Sequence, residues 1–163
     1  MAAPPPPTTV LRGHGSEVTT LGFHPARGDR LLSCDAGGKL LVWDVGVRRP
    51  LGPAVPVHES RVLQLRVDAQ GGLVYTQGRD GVVCAWDAGL DRATPERRLR
   101  TGCYNFCRFD LHAESRLVAL PGEDVSELAL WSMDADKPVL RYACGPGDRA
   151  GMCTAVCFLQ EHR

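Results

Sequence analysis

Histidine, serine and aspartate side chains recur through the first half of the chain, and together they suggest hydrolytic chemistry. His14, Ser33, His58 and Asp80 include the nucleophile, base and orienting acid of a hydrolase triad. A nucleophilic serine usually needs a context such as Gly-x-Ser-x-Gly, and the sequence has neither that motif, a phosphate-binding loop nor a His-Glu-x-x-His pair. A structural role for the histidines is therefore favoured over catalysis, with a small hydrolase as the alternative.

The seven cysteines raise a second possibility, which is a zinc site. Cys103 and Cys107 are four residues apart, as are Cys153 and Cys157, and residues four apart on a strand face the same side. Cys107 and Cys153 also fall where the repeat described below places small apolar side chains, and a free cysteine packs as a small hydrophobe. We therefore expect reduced thiols and no metal or cofactor, with a zinc-binding protein left open beside the hydrolase.

Composition narrows the class of protein further. The chain has 163 residues, 44% of them hydrophobic and 23% charged, which is typical of a globular domain. Nineteen basic and nineteen acidic residues give a formal net charge of zero, so we expect no direct binding of nucleic acid. No apolar run is long enough for a membrane span, and the start is not a signal peptide. We expect a location in the nucleus, the cytoplasm or both.

The tryptophans reveal the organisation that must position these side chains. Trp43-Asp44 and Trp86-Asp87 are 43 residues apart, and Trp131 follows 45 residues later with serine after it. A period of about 40–45 residues that ends on Trp-Asp is typical of four-stranded propeller blades. The chain is therefore predicted to be built from repeats of one β-sheet unit.

An apolar triplet with spacing three and then two supports the same period. It occurs at Val18, Leu21 and Phe23, and again at Val62, Leu65 and Val67. We expect the third and fourth copies at these residues: Tyr104, Cys107 and Phe109, then Cys153, Val156 and Phe158. Each triplet predicts the inner strand of a blade.

The remaining strands follow from the turn signals between apolar runs. Middle strands are predicted near 30–34, 73–77 and 116–120. Third strands are predicted near 39–44, 82–87 and 126–132. Outer strands are predicted near 51–57, 97–101 and 138–143. No long stretch has the 3.6-residue apolar period of a helix, so the fold class is all-β.

These residues resemble the WD-repeat β-propeller family, in which a histidine, a Ser/Thr, a turn aspartate and the tryptophan form a buried hydrogen-bonded chain. The second unit has all four members of this structural tetrad, namely His58, Thr76, Asp80 and Trp86. The chemistry is sensible because a buried indole N–H and an imidazole both need hydrogen-bond partners.

The other two units depart from the family pattern. The first unit has a partial tetrad of His14, Ser33 and Trp43, with Gly37 where the aspartate is expected. The third unit keeps Trp131 as its repeat marker, with Arg100, Pro121 and Val125 in the other three places. We therefore expect the third blade to be held by packing more than by such a network.

A narrower resemblance is carried by a series of short segments. They are, in chain order, VLRGH, TQGRDGVVCAWD, TGCYNFCRF, LALW and RAGMCTAV. They look like the G-protein β-subunit-like branch, which includes the ASTRA-associated proteins of fungi and the plant proteins called decreased size exclusion limit. The resemblance implies a protein-interaction scaffold with other proteins as partners, linked to maturation of phosphatidylinositol-3-kinase-related kinases by a chaperone assembly, and to chromatin-remodelling complexes.

The resemblance also implies a division of the chain. Residues 1–9 are predicted to form a Pro-rich flexible tail, and residues 10–163 a partial propeller. Blade 1 is expected at about 14–57, blade 2 at about 58–100, blade 3 at about 101–143 and the start of blade 4 at about 150–163. Members of the branch look like seven-bladed rings, and 163 residues at about 43 per blade give about three and a half blades. We therefore expect the N-terminal half of a ring with uncovered faces, and a chain that is aggregation-prone, oligomeric or dependent on a partner.

Two basic clusters fall on predicted outer strands, at Arg48-Arg49 and at Arg97-Arg98-Leu99-Arg100. Charged side chains at a strand edge discourage edge-to-edge pairing, and this is the simpler interpretation. Binding of an acidic peptide is the alternative.

Overall fold

The computed structural model describes residues 9–69, 72–89, 94–124, 126–143 and 151–159. Within these ranges the chain forms strands, turns and loops and no helix. The described residues thus contain no helix long and apolar enough to cross a membrane. Residues 1–8 of the predicted tail, and residues 150 and 160–163 of the predicted fourth blade, lie outside the described residues.

The strands form three antiparallel sheets, each built from one sequence repeat. The first sheet, blade 1, contains β1 (Val18–His24), β2 (Arg27–Asp35), β3 (Lys39–Asp44), β4 (Arg49–Pro50) and β5 (Val55–Pro56). Blade 2 contains β6 (Val62–Val67), β7 (Leu73–Gly78), β8 (Val82–Asp87) and β9 (Arg97–Arg100). Blade 3 contains β10 (Asp110–His112), β11 (Leu117–Pro121), β12 (Glu127–Ser132) and β13 (Pro138–Ala143).

Consecutive strands pair in chain order within each blade, which is the meander of a propeller blade, and the predicted all-β partial propeller is confirmed. The outer strand of blade 1 is broken into β4 and β5, both of which pair with β3. Pro50, Pro53 and Pro56 fall in this stretch, and a proline has no N–H to donate to a neighbouring strand. The prolines account for the break.

The apolar core lies between the sheets. One cluster fills the space between blades 1 and 2 and includes Leu32, Leu40, Leu65 and Trp86. A second cluster fills the space between blades 2 and 3 and includes Phe109 and Trp131. Each tryptophan in these clusters therefore packs on the blade that precedes its own.

The three-then-two spacing of the apolar triplet has a structural cause. A register shift between Val18 and Thr20 in β1, and one between Val62 and Gln64 in β6, interrupts the two-residue alternation of a strand. A bulge of this kind lets residues three apart face the same side. Val62 and Leu65 face blade 1 and are buried, whereas Leu21 in blade 1 is 60% exposed because no described sheet covers it.

The triplet predicted for the third blade was wrong by two residues. Phe109 precedes β10 and continues its register opposite Leu120, as Leu65 lies opposite Thr76. By this register Phe109 and Leu111, not Cys107 and Phe109, are equivalent to Leu65 and Val67. Both sets have the same spacing in the sequence, so periodicity did not distinguish them.

A buried glutamine ties blade 2 to blade 3. Gln77 is 1% exposed. Its Nε2 donates to the Cys107 carbonyl at 2.9 Å, and its Oε1 accepts from the Phe109 N–H at 3.0 Å. Both backbone groups belong to the segment that begins the inner strand of blade 3, where they have no strand partner. One side chain thus replaces two hydrogen bonds between strands.

We expect Gln77→Ala to lower the free energy of unfolding by about 1–3 kcal/mol, because it leaves two buried backbone groups unpaired. Gln64→Ala is the matched control, since Gln64 is also buried but its Oε1 has no hydrogen-bond partner. Denaturant melts of both variants provide the measurement. Equal losses would show that the Gln77 hydrogen bonds add nothing to packing.

Candidate functional site

The structure brings His58, Thr76, Asp80 and Trp86 into one hydrogen-bonded chain. The Trp86 indole N–H donates to Thr76 Oγ1 at 2.9 Å. Thr76 Oγ1 lies 2.9 Å from His58 Nε2, and His58 Nδ1 lies 3.1 Å from each Asp80 oxygen. A carboxylate only accepts, so Nδ1 carries the proton and Nε2 accepts from the hydroxyl. Every polar group of this chain is paired.

Blade 1 has a complete chain as well, which corrects the expectation of a missing acid. The Trp43 indole donates to Ser33 Oγ at 2.7 Å, and Ser33 Oγ lies 2.6 Å from His14 Nε2. His14 Nδ1 lies 2.8 Å from Asp35 Oδ2. Asp35, two residues before Gly37, supplies the carboxylate.

The two blades place the same carboxylate from different positions of the turn. In blade 2 the order is Gly78 and then Asp80, whereas in blade 1 it is Asp35 and then Gly37. A Cβ on Gly78 would collide with both the Asp80 carboxylate and the His58 ring. A side chain at the Gly78 position would therefore point to where the Asp80 carboxylate lies. Asp35 holds the equivalent position in blade 1, and its carboxylate occupies that place. The aspartate two residues before Gly37 was the sequence signal that could have revealed the acid of blade 1.

Both carboxyl groups are charged parts of the network. Burial raises the pKa of Asp35, but hydrogen bonds from His14 and from the Lys39 and Gly37 N–H groups outweigh it and hold the pKa below its ordinary value. Burial likewise raises the pKa of Asp80, and its hydrogen bond with His58 leads the opposing effects that lower it overall.

Glycines after these turns connect each blade to the next. The Gly38 carbonyl accepts from the Val57 and His58 N–H groups at 2.9 and 3.1 Å. Gly38 has φ of 78°, and a Cβ there would collide with the His58 carbonyl. Only glycine combines this positive φ with so close an approach. The turn of blade 1 thereby fixes where the histidine of blade 2 begins.

The described part of blade 3 does not have the network. In addition, the residues that take the histidine and hydroxyl places differ from the ones that the repeat spacing predicted. The Gly81 carbonyl accepts from Thr101 and Gly102 as the Gly38 carbonyl does from Val57 and His58. Gly102, not Arg100, therefore takes the histidine's place, and the Glu123 side chain packs against it.

The hydroxyl position of blade 3 is also shifted. In blade 2, Thr76 lies two residues after Val74, the strand partner of Trp86. In blade 3, Leu120 lies two residues after Val118, the strand partner of Trp131, so Leu120 and not Pro121 takes the place of the hydroxyl. The turn of blade 3 is one residue longer, which misled a count along the sequence. Among the residues that the structure describes, the buried Trp131 Nε1 has no hydrogen-bond partner, as expected where no hydroxyl faces it.

The arrangement of acid, histidine and hydroxyl resembles a hydrolase triad but is closed to substrate. Ser33 is 4% exposed and Thr76 is fully buried. Each hydroxyl oxygen already accepts an indole N–H, which occupies a lone pair that an attacking oxygen would need. The geometry suits a structural role for both histidines.

The cysteines do not form a metal site in the part of the chain that the structure describes. No group of three or more histidine, cysteine or acidic side chains there has an arrangement that would hold a metal ion. Burial raises the pKa of the Cys84 thiol to about 11, and burial together with Cys153 raises that of Cys107 to about 12. Burial of this kind is typical of cysteines that pack as small hydrophobes.

Beside the blade 2 turn, arginine and aromatic side chains line an open concavity of about 350 Å³. Arg61 precedes β6, Arg79 lies in the β7–β8 turn, and Phe106 and Arg108 belong to the segment before β10. The Arg79 guanidinium lies 4.5 Å from the centre of the Phe106 ring. We call these four residues the arginine rim; sequence analysis did not identify it.

Comparison with protein families and curated proteins places these features in context. A family model described as WD domain, G-beta repeat matches residues 5–44. The mouse protein named guanine nucleotide-binding protein subunit beta-like protein 1 is 30% identical over 156 residues, which cover 91% of this chain and 48% of that protein. ASTRA-associated protein 1 of Penicillium rubens is 40% identical over 87 residues, which cover 52% of this chain and 19% of that protein. The matches thus span about half or less of these relatives.

Solved structures with the same fold include two computationally designed proteins. The Ika4 protein matches with a TM-score of 0.68 and 22% identity, over 93% of this chain and 85% of that chain. The Ika8 protein matches with a TM-score of 0.67 and 22% identity, over 92% of this chain and 42% of that chain. At this identity the likeness concerns the fold alone.

We expect Asp35→Ala and Asp80→Ala each to lower the free energy of unfolding by about 1–3 kcal/mol, because each leaves a buried imidazole N–H unpaired. Denaturant melts compared with Asp29→Ala, at an exposed aspartate with only a 3.8 Å ion pair, provide the measurement. An Asp35→Ala variant as stable as this control would show that the blade 1 network ends at His14.

The same variants should show a defined pH dependence. Both folded-state pKa values are lowered, so the stability from each carboxylate is fully present above the unfolded pKa of about 3.9. It is lost as the pH falls through the lower folded pKa. The difference from the parent chain should therefore shrink in acid, and a difference that grows there would contradict the assignment.

The orphaned indole of blade 3 allows a matched pair of tryptophan variants. Trp86 and Trp131 are similarly buried, at 2% and 4% exposure, but Trp86 alone of the two donates its N–H. We expect Trp131→Phe to cost less stability than Trp86→Phe by about 1–3 kcal/mol, since it removes an unpaired buried donor. Thermal melts of the two variants would contradict this if Trp131→Phe were the more damaging.

Proposed function

The chain belongs to the WD-repeat β-propeller family, and from that premise we propose that it is a non-catalytic scaffold whose blade rims bind other proteins. The observation that carries this proposal is the use made of the reactive side chains. Both Asp-His-hydroxyl chains are sealed inside blades and fully occupied by structural hydrogen bonds. The surface loops are then available to bind other molecules, and loops held by a rigid scaffold commonly carry binding residues.

The assembly in which the scaffold acts is proposed to be ASTRA-related. The name of the fungal relatives supports this, as do the length of the match to the G-protein β-subunit-like mouse protein and the segment order given above. Within it, we propose a role in maturing phosphatidylinositol-3-kinase-related kinases together with a chaperone assembly, and a link to chromatin remodelling. The corresponding location is the nucleus, the cytoplasm or both.

The alternative, a hydrolase or zinc protein on the same strands, lacks a supporting site. The hydroxyls of the two triad-like chains are inaccessible to a substrate. Among the described residues, no group of histidine, cysteine and acidic side chains has an arrangement that would hold a metal ion. We therefore propose binding to proteins, with neither nucleic acid nor membrane as a direct partner.

Depletion in cells of the source organism tests the proposed assembly. We expect the protein level of phosphatidylinositol-3-kinase-related kinases to fall while their messenger RNA is unchanged, and the tagged chain to co-purify with the chaperone assembly. Re-expression of the parent sequence should restore the kinases. Unchanged kinase levels together with no co-purification would refute the proposed assembly, and hydrolysis of p-nitrophenyl acetate by the purified chain would refute the non-catalytic scaffold.

A further inference from the structure

We propose that the arginine rim binds an acidic peptide segment of a partner protein, with Arg79 and Arg108 holding its anionic groups. This inference rests on the proposed scaffold function and names the chemistry of the partner. The anionic groups can be Asp or Glu carboxylates or phosphorylated side chains, because a guanidinium pairs with both through the same two-pronged geometry.

The rim gathers positive charge from two consecutive blades. Arg61 and Arg79 come from blade 2 and Arg108 from the start of blade 3, and all three line the same concavity with Phe106. Blades 2 and 3 also share a buried core and the Gln77 hydrogen bonds. The relative positions of the three arginines are therefore set by a packed junction and not by an open end of the sheet stack.

Two of these charges are uncommitted. Arg61 forms an ion pair with both oxygens of Glu17, at 3.0 and 3.1 Å. Within the described residues no salt bridge involves Arg79 or Arg108, and both side chains are exposed. Two unpaired guanidinium groups at one concavity leave a site that favours an anion. Glu17 occupies Arg61 and keeps this end of the rim from binding strongly.

Arg79 is held ready for binding. Its guanidinium lies over the Phe106 ring at 4.5 Å, a cation–π arrangement that restricts the side chain. Its backbone N–H donates to the Arg61 carbonyl at 2.9 Å, and the adjacent Asp80 accepts from the Glu59 and Val82 N–H groups. The turn that carries Arg79 is thus fixed by the histidine network, which lowers the entropy lost on binding.

An adjoining concavity gives a peptide room to continue. Phe106 and Arg108 line it as well, together with Arg66 and Gln64, and its volume is about 340 Å³. Gln64 is 7% exposed and forms part of its wall. Phe106, at 64% exposure, offers an apolar surface beside the charges.

The arginine clusters on the blade edges are less suited to the same ligand. Arg97 donates to the Met133 carbonyl at 2.6 Å and lies 3.8 Å from Asp136. Burial raises the pKa of the Cys84 thiol, and Arg98 opposes this rise. The charge of Arg97 is thus partly used between blades 2 and 3, whereas Arg79 and Arg108 have no such ion pair among the described residues.

Fluorescence anisotropy with labelled peptides tests the proposal on the purified chain, in the oligomeric state in which it is obtained. The probes are a hexaglutamate peptide, a phosphoserine peptide of equal length, its unphosphorylated form and a single-stranded DNA 12-mer. We expect one or both anionic peptides to bind and the neutral peptide not to bind, and the stronger of the two identifies carboxylate or phosphate as the preferred group. DNA binding that equals or exceeds peptide binding would overturn the proposal.

Variants locate the binding. Arg79→Gln and Arg108→Gln should each weaken binding roughly tenfold, the loss expected for one charge-assisted pair. Arg49→Gln is the matched control, because it removes one exposed charge from a blade edge, and it should leave the affinity unchanged. Thermal melts confirm that each variant is folded. Equal weakening by all three variants, or no peptide binding at all, would overturn the rim site.

The rim and the scaffold function can fail separately. If Arg79→Gln and Arg108→Gln each weaken peptide binding as expected, and co-purification with the chaperone assembly is lost as well, both proposals are supported. If the variants still co-purify with the assembly, the scaffold stands and the rim is wrong as its docking site. If the parent chain binds the acidic peptide but co-purifies with no chaperone assembly, the rim stands and the proposed assembly is wrong.

Discussion

The structure depends on giving a partner to a buried indole N–H. In blades 1 and 2 the tryptophan is 3% and 2% exposed, so its N–H must find an acceptor inside the protein. The acceptor is a hydroxyl on the middle strand, which itself needs a histidine, which needs a carboxylate from the turn. The histidine belongs to the segment that leads into the inner strand. The hydrogen-bond network therefore joins this segment to two strands and a turn of the blade.

The constraint admits more than one solution. Asp35 and Asp80 reach the imidazole from turn positions two residues apart, with glycine at the position each leaves free. The described part of blade 3 uses neither, and Leu120 stands where the other two blades have a hydroxyl. What holds blade 3 is the apolar layer against blade 2 and the glutamine that bonds its entering segment. In blade 3, apolar packing against the preceding blade thus takes the place of a polar network.

The same network links fold to function. It uses up the side chains that resemble catalytic groups, and it fixes the turn from which Arg79 extends. A scaffold needs surface groups held at constant separation, and the tied turn and the cation–π contact with Phe106 provide this at the rim. The charge of the chain is balanced overall, so recognition depends on where single arginines are left unpaired and not on the net charge.

The sequence by itself determined the repeat, the all-β class and most strand positions, because the tryptophan period marks a side chain that each of the three blades buries. It also determined the members of the blade 2 network, whose spacing follows the family pattern. Tertiary structure alone decided three matters: that Asp35 replaces the acid expected at position 37, that Gly102 and Leu120 take the blade 3 places, and that Arg79 meets Phe106. Each depends on strand register or on contacts between blades. Residue spacing does not show which side chains come together when the turns differ in length from one blade to the next.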